Sequence, residues 1–191
     1  AEHHARLRQL EPGARGRRRA LHELTYGMYI IGVAEDGEYN GQVSNTLFQV
    51  ASEPLLLSVC INKVNRTHGM IQRSGAFTVS VLSTAAPMSL INLFGFHHGY
   101  DVEKFREVPH RSADNGAPIV LSDTLAYIEV SVISSLDAVT HTLFLGKVTD
   151  TGMLLGGEPM TYRYYRTVLK GHTPVTAPTY RPLERPPEIK G

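Results

Sequence analysis

The sequence predicts a mainly β protein, a barrel of antiparallel strands with short helical insertions. Three observations carry this. Short runs rich in β-branched and aromatic residues recur along the 191 residues, separated by turn-forming residues. Asp36-Gly37 and the segment after Asp137 each lie between two such runs, as antiparallel hairpins require. No regular strand–helix–strand alternation exists, which argues against a parallel nucleotide-binding sheet.

In chain order, residues 1–19 have no apolar period and carry Pro12, Gly13 and Gly16, so a loose Arg-rich arm is expected, followed by one domain over 20–172. Ala20–Leu24 suits a short helix and Thr25–Ala34 a strand. The turn at Asp36-Gly37 returns the chain through a strand from Tyr39 to about Ala51, and Pro54 breaks the run. Leu55–Ile61 is apolar but for Ser58, a strand expected to be buried on both faces. Thr67 reads as the N-cap of a helix that runs to Ser74 and stops at Gly75. Phe77, Val79 and Val81 alternate with Thr78 and Ser80, a half-buried strand. Pro87 opens a helix through Phe94, with Met88, Ile91 and Leu90 or Phe94 inward.

Gly95–Gly99 then reads as a loop, Val102–Phe105 as a helical turn and Glu107–Ala117 as a surface loop. Ile128, Val130 and Val132 alternate with Glu129 and Ser131. A second long strand covers Thr140–Thr149, with a turn at Gly152 before Met153–Leu155. Thr161–Leu169 fits either helix or strand. Five prolines from Pro174 to Pro187 predict an extended, loosely held tail over 173–191.

Composition bounds the function. A net charge of +1 gives no general reason to expect nucleic acid or an acidic membrane as a partner. Arg15 and Arg17–Arg19 read as a solvated tail or as a nucleic-acid arm, the tail being the plainer reading. One cysteine, Cys60, excludes an intrachain disulfide and any site built from several cysteines; it suits a small buried apolar residue. No apolar run reaches the ~18 residues of a membrane helix, and a reducing cytoplasmic location is expected. The histidines show no metal-ligand spacing, no nucleophile elbow is present, and neither glycine-rich nucleotide fingerprint occurs, so no metal is expected.

Two polar clusters remain, both within Asn40–His68. In INKVNRTH a strand ends, a polar loop follows and a helix begins. Unpaired N–H groups there, with Lys63, Arg66, Asn62 and the Thr67 hydroxyl, suit a phosphate; a capped helix behind a charged surface loop is the competing reading. In GQVSNT, Gln42, Ser44, Asn45 and Thr46 either hydrogen-bond a planar heterocycle or mark a twisted, bulged strand. The sequon at Asn65-Arg66-Thr67 lacks a secretory signal and reads as accidental.

YGMYIIGV, NGQVSNTLFQVASEP, LLLSVCINKVNRTH, SGAFTVSVL, FGF…DVEKF and THTLFLGKV, in that order over about His22–Lys170, resemble the flavin reductase-like, FMN-binding split-barrel family. The branch most resembled holds flavoredoxin and the flavoprotein part of high-molecular-weight rubredoxin. GHTPVTAPTY resembles the segment before the rubredoxin module of some relatives, though with Cys60 alone no such module is expected. The resemblance implies an antiparallel split barrel that forms a homodimer, with FMN near the subunit interface.

Carried over by position, Asn62, Lys63, Thr67, Arg66 and His68 would hold the phosphate. Ser44, Asn45 and Thr46 would face the ring edge, and Phe94, Gly95 and Phe96 would lie near the ring, with Phe94 or Tyr29 as its apolar wall. His141 would stand near the flavin and nicotinamide; Val139-Thr140 replaces the Gly-Asp that precedes this histidine in many flavin reductases. The implied activity is electron transfer from NAD(P)H through FMN to a flavin or an electron-acceptor protein. The alternatives are a flavoprotein fed by a protein donor, a non-catalytic cofactor-binding barrel and, more distantly, pyridoxamine-phosphate-oxidase-like chemistry.

Overall fold

A computed structural model describes residues 20–180. Among the described residues nine strands run β1 Tyr29–Glu35, β2 Glu38–Ser44, β3 Leu47–Ser52, β4 Leu55–Asn62, β5 Ala76–Leu82, β6 His110–Ser112, β7 Pro118–Val120, β8 Thr124–Ala138 and β9 His141–Met153. The helices are α1 Arg66–Ser74, α2 Met88–Phe96 and α3 Tyr162–Thr167, with a 3-10 turn at Leu21–Glu23. Seven strands pair antiparallel in the order β2-β1-β5-β8-β9-β4-β3, and β6 pairs with β7.

That order curls the sheet. β2 and β3 stand at its opposite ends, yet only Asn45 and Thr46 separate them in the chain. Three residue steps span at most ~11 Å, whereas seven flat strands would lie ~29 Å across. The two ends must therefore approach each other. No ladder joins them, so the barrel is closed by the chain and left split at this point.

Alternation divides the apolar residues between two cores. Ile31, Val33, Val59, Phe77, Val79 and Phe144 fill the inner side together with Met70 and Ile71 of α1. Ile30 and Leu82, their neighbours on the opposite face, pack beneath α2 and α3 with Ile91, Phe94, Tyr162 and Tyr165.

Several expectations hold. Asp36 (φ 50°) and Gly37 (φ 81°) make the left-handed two-residue turn of the first hairpin. Gly75 (φ 69°) ends α1, its N–H bonding the Ile71 carbonyl. The ambiguous Thr161–Leu169 segment is helical at α3, where the Thr161 side chain accepts from the Tyr164 amide.

Others are corrected. The strand expected over Tyr39–Ala51 is two, because the chain changes sheet edges at Asn45-Thr46. Thr67 lies inside α1; the extended Asn65 precedes the helix and no side chain caps it. Thr78 and Ser80 are buried, since the β6–β7 hairpin covers them: Thr78 donates to the Pro118 carbonyl (2.5 Å) and the Val120 amide donates to Ser80 (3.0 Å).

β6 occupies part of the expected 107–117 loop. Gly95 and Phe96 finish α2 rather than opening a loop, and Val102–Phe105 forms no helix. Leu55 is exposed, so β4 is buried on both faces only around Leu57–Val59. Gly152 pairs with Tyr127 within an unbroken β9. Glu129 is buried, its carboxylate accepting from the Asp114 and Asn115 amides (3.3 and 3.4 Å).

The arm expected over 1–19 and the tail beyond residue 180 lie outside the described residues. Among the described residues no helix is long and apolar enough to cross a membrane.

Candidate functional site

The two polar clusters meet. Asn65 Nδ2 donates to Gln42 Oε1 (3.0 Å), joining the loop before α1 to β2. Two residues on, buried Asn40 donates from Nδ2 to the Thr67 hydroxyl (3.0 Å). These bonds seat the first turn of α1 against β2 and leave its entry uncapped. Between them opens a cleft of about 180 Å3. Gln42, Ser44 and Asn45 line one side, Asn62, Arg66 and Thr67 another, and Phe94, Gly95 and Phe96 supply an apolar wall.

The crossing residues are anchored through Cys60. The Thr46 hydroxyl donates to its carbonyl and the Cys60 amide donates to the Thr46 carbonyl, both at 3.1 Å. Thr46 therefore holds the backbone of the crossing rather than lining the cleft. Cys60 is half-buried on the cleft, and burial raises its thiol pKa.

Among the residues expected at a phosphate, Asn62 caps its own loop, its Oδ1 accepting from the Val64 amide (3.1 Å). Arg66 donates to the Gly99 carbonyl (2.7 Å), pairs with Glu38 and lies over the Tyr100 ring. A side chain at Gly99 would meet Asn40 Oδ1 at 2.4 Å, so glycine permits this close approach.

Lys63 turns away to Asp137 (2.7 and 2.8 Å) at the end of the β8–β9 ribbon. Lys63 and the Val139 amide together hold the Asp137 carboxyl below its ordinary range. His68 is buried, with Nε2 on the Thr142 hydroxyl (2.8 Å) and its ring against Phe144. Burial, then the charge of Lys63, lowers its pKa. Tyr29 packs on the inner core, where burial raises its phenol pKa. Lys63, His68 and Tyr29 do not line the cleft.

His141 stands beside the cleft and faces the chain's own segment 174–179. Its Nε2 lies 3.1 Å from the Thr176 carbonyl and its Nδ1 lies 2.8 Å from the Thr140 hydroxyl. A carbonyl only accepts, so Nε2 carries the proton and, in the neutral ring, Nδ1 accepts from Thr140. The same Thr176 carbonyl accepts from Asn62 Nδ2 (2.9 Å), and Asn45 Nδ2 donates to the Thr179 hydroxyl (2.7 Å). The segment expected to be loosely held is thus a wall of the cleft.

Sequence reasoning missed Lys104. Its buried Nζ donates to the Gly41 and Phe94 carbonyls (2.9 and 3.4 Å) and lines the cleft. No carboxylate pairs with it among the described residues, and burial pushes its pKa down to about 8. One lysine in a short polar loop gives no signal of burial, which here comes from β2 and α2 closing over it.

The flavin reductase like domain family matches residues 21–171. High molecular weight rubredoxin of Moorella thermoacetica is 48% identical over 162 residues, 85% of this chain and 71% of that one. Ferric-chelate reductase (NAD(P)H) of Archaeoglobus fulgidus is 41% identical over 161 residues, 84% of this chain and 95% of that protein. Among solved structures, nitrilotriacetate monooxygenase component B from Mycobacterium thermoresistibile superposes with a TM-score of 0.68 at 27% identity, covering 78% of this chain and 81% of its own.

Proposed function

The chain belongs to the flavin reductase like family of flavin-binding, split-barrel oxidoreductases, and from that premise we propose that its cleft binds FMN and passes electrons from NAD(P)H to a flavin or protein acceptor. The observation that carries this reading is the uncapped entry of α1 opening on the same cleft as the Asn45 crossing. A helix start with free N–H groups attracts a phosphate, and the polar crossing offers hydrogen bonds to a ring edge.

The residues present fit the group. Arg66, Thr67 and Asn62 would hold the phosphate, with Arg66 giving up part of its contact with Glu38. The crossing at Asn45, held by Thr46 and Cys60, would set the ring edge. Phe94 and Phe96 would exclude water from one side, while Lys104 holds a positive charge within the wall. When bound, FMN supplies hydride and single-electron chemistry itself, so the protein needs only to bind, orient and tune it.

The kinship with a ferric-chelate reductase (NAD(P)H) supports a nicotinamide donor. The kinship with a high molecular weight rubredoxin favours a second reading, in which a protein partner exchanges the electrons. His141, held between Thr140 and Thr176, favours that reading too, since its outer nitrogen is already engaged. We also propose a homodimer. Phe48 and Val50 on edge strand β3, with Ile133 and Leu136 on the β8–β9 ribbon, are about half or more exposed, and a second copy would cover them.

Purified protein should show flavin absorbance. Saturating FMN should stabilise it, by ~2.7 kcal/mol at a hundred times Kd. A colourless protein that gains nothing from FMN would refute the reading. Anaerobic mixing with NADH and with NADPH then separates the donors: rapid bleaching supports the nicotinamide route, and none supports the protein route.

A further inference from the structure

The segment 174–179 meets three of the residues that sequence reasoning assigned to the flavin. Asn45 donates to the Thr179 hydroxyl, while Asn62 and His141 share the Thr176 carbonyl. Its shape is set locally. The Ala177 amide bonds the Pro174 carbonyl and the Tyr180 amide bonds the Ala177 carbonyl, both at 3.0 Å. Pro178 stands second in the latter turn, where its fixed φ is favourable.

The base of the segment is anchored separately. The Gly171 amide bonds the Tyr165 carbonyl (2.9 Å), the Tyr165 hydroxyl donates to the His172 carbonyl (2.7 Å), and Thr173 meets the Tyr162 hydroxyl. An anchored base thus carries a short, pre-formed strap held at its far end by three hydrogen bonds.

The strap also divides space. On one side lies the main cleft, at about 180 Å3 smaller than the ~300–1,000 Å3 usual for small-molecule sites. On the other lies an apolar cavity of about 50 Å3, walled by Met28, Ile91, Tyr162 and Tyr165. Asn45, Phe96, Pro174 and Ala177 border both. Lifting the strap opens a way between the two spaces, whereas with the strap seated Asn45 and Asn62 each keep a second Nδ2 hydrogen for the flavin.

We infer that residues 174–179 are a gate on the flavin cleft, and that release of the strap sets the rate at which FMN enters and leaves. This rests on the reading of the cleft as an FMN site and goes beyond it, because the strap governs exchange in both directions. A seated strap blocks the path in and the path out alike. Loosening it therefore speeds association and dissociation by similar factors and moves the equilibrium constant little.

The full-length chain is mixed with FMN in a stopped-flow fluorimeter, and dissociation is followed after dilution. Thr179→Val removes the acceptor of Asn45 and keeps the side chain's volume. Both rates should rise about fivefold, the scale of one hydrogen bond, with Kd within about twofold of wild type. Pro178→Gly loosens the turn by restoring chain entropy and should speed both rates about threefold. Unchanged rates in both variants, with FMN still bound, would overturn the gate alone. A rise in dissociation only, with Kd rising in proportion, would also overturn it, making the strap a simple binding contact. A wild-type chain that binds no FMN would overturn the site and the gate with it.

Discussion

Asn65 donates its side-chain amide to Gln42, although it stands at the position where a side chain usually caps a helix. The helix entry is left open toward the cleft, and the amide fixes the loop to β2 instead. Asn65→Asp separates these roles. A carboxylate can cap α1 and suits its dipole, and the Gln42 amide can turn to donate to it. Stability should stay within ~0.5 kcal/mol by denaturant titration. FMN affinity should fall at least tenfold, because a negative charge then faces the phosphate.

The cations of the INKVNRTH loop should differ in effect. Arg66 lines the cleft and Lys63 is turned to Asp137. Arg66→Ala should weaken FMN binding about tenfold or more at low salt, as loss of a charged hydrogen bond does. Lys63→Ala and His68→Leu should leave Kd within about threefold in the same fluorescence titration. A Lys63 effect as large as that of Arg66 would place the phosphate elsewhere.

The Asn40–Thr67 bond is buried on both sides. Thr67→Val keeps the shape and leaves the Asn40 amide without its acceptor, a loss of about 1–3 kcal/mol. The urea midpoint should fall accordingly, and Thr67→Ser should restore most of it.

Lys104 gives a pH signature. Its folded pKa of about 8 lies below the ordinary ~10.4 of an unfolded chain. Below pH ~8 both states are charged and the cost of burial is constant. Between there and ~10.4 the unfolded chain holds a proton that the folded one has released, so stability from this group rises with pH, by at most ~1.4 kcal/mol per unit. Wild type should therefore gain on Lys104→Met between about pH 7.5 and about pH 9.5 in parallel denaturations. Parallel curves would show that Lys104 keeps its ordinary pKa.

Features written in a few adjacent residues were legible in the sequence. Asp36-Gly37 specifies its turn and Gly75 its helix stop because each needs a left-handed backbone, which a local pattern can show. Features that depend on remote partners were not. Asn45-Thr46 contains no glycine or proline, so nothing local announced a change of sheet edge. Thr78 and Ser80 look like a solvent face until the β6–β7 hairpin covers them. Of the residues that line the cleft, Arg66, Thr67 and Asn62 were visible through the loop-to-helix pattern. Lys63 and His68 carried the same signal and point elsewhere. The strap was hidden because it offers a backbone carbonyl, which has no signature in residue type, within a proline-rich stretch that reads as loose.

The β1–β2, β3–β4 and β8–β9 hairpins are local in sequence and form without large loops to close. The β4–β9 ladder instead joins residues 56–62 to 141–147 across roughly eighty residues of chain and is expected to form late. Asn62 and His141 are the last pair of that ladder. The cleft is therefore finished by the longest-range ladder among the described strands, and a nascent chain completes it only when the whole barrel has assembled.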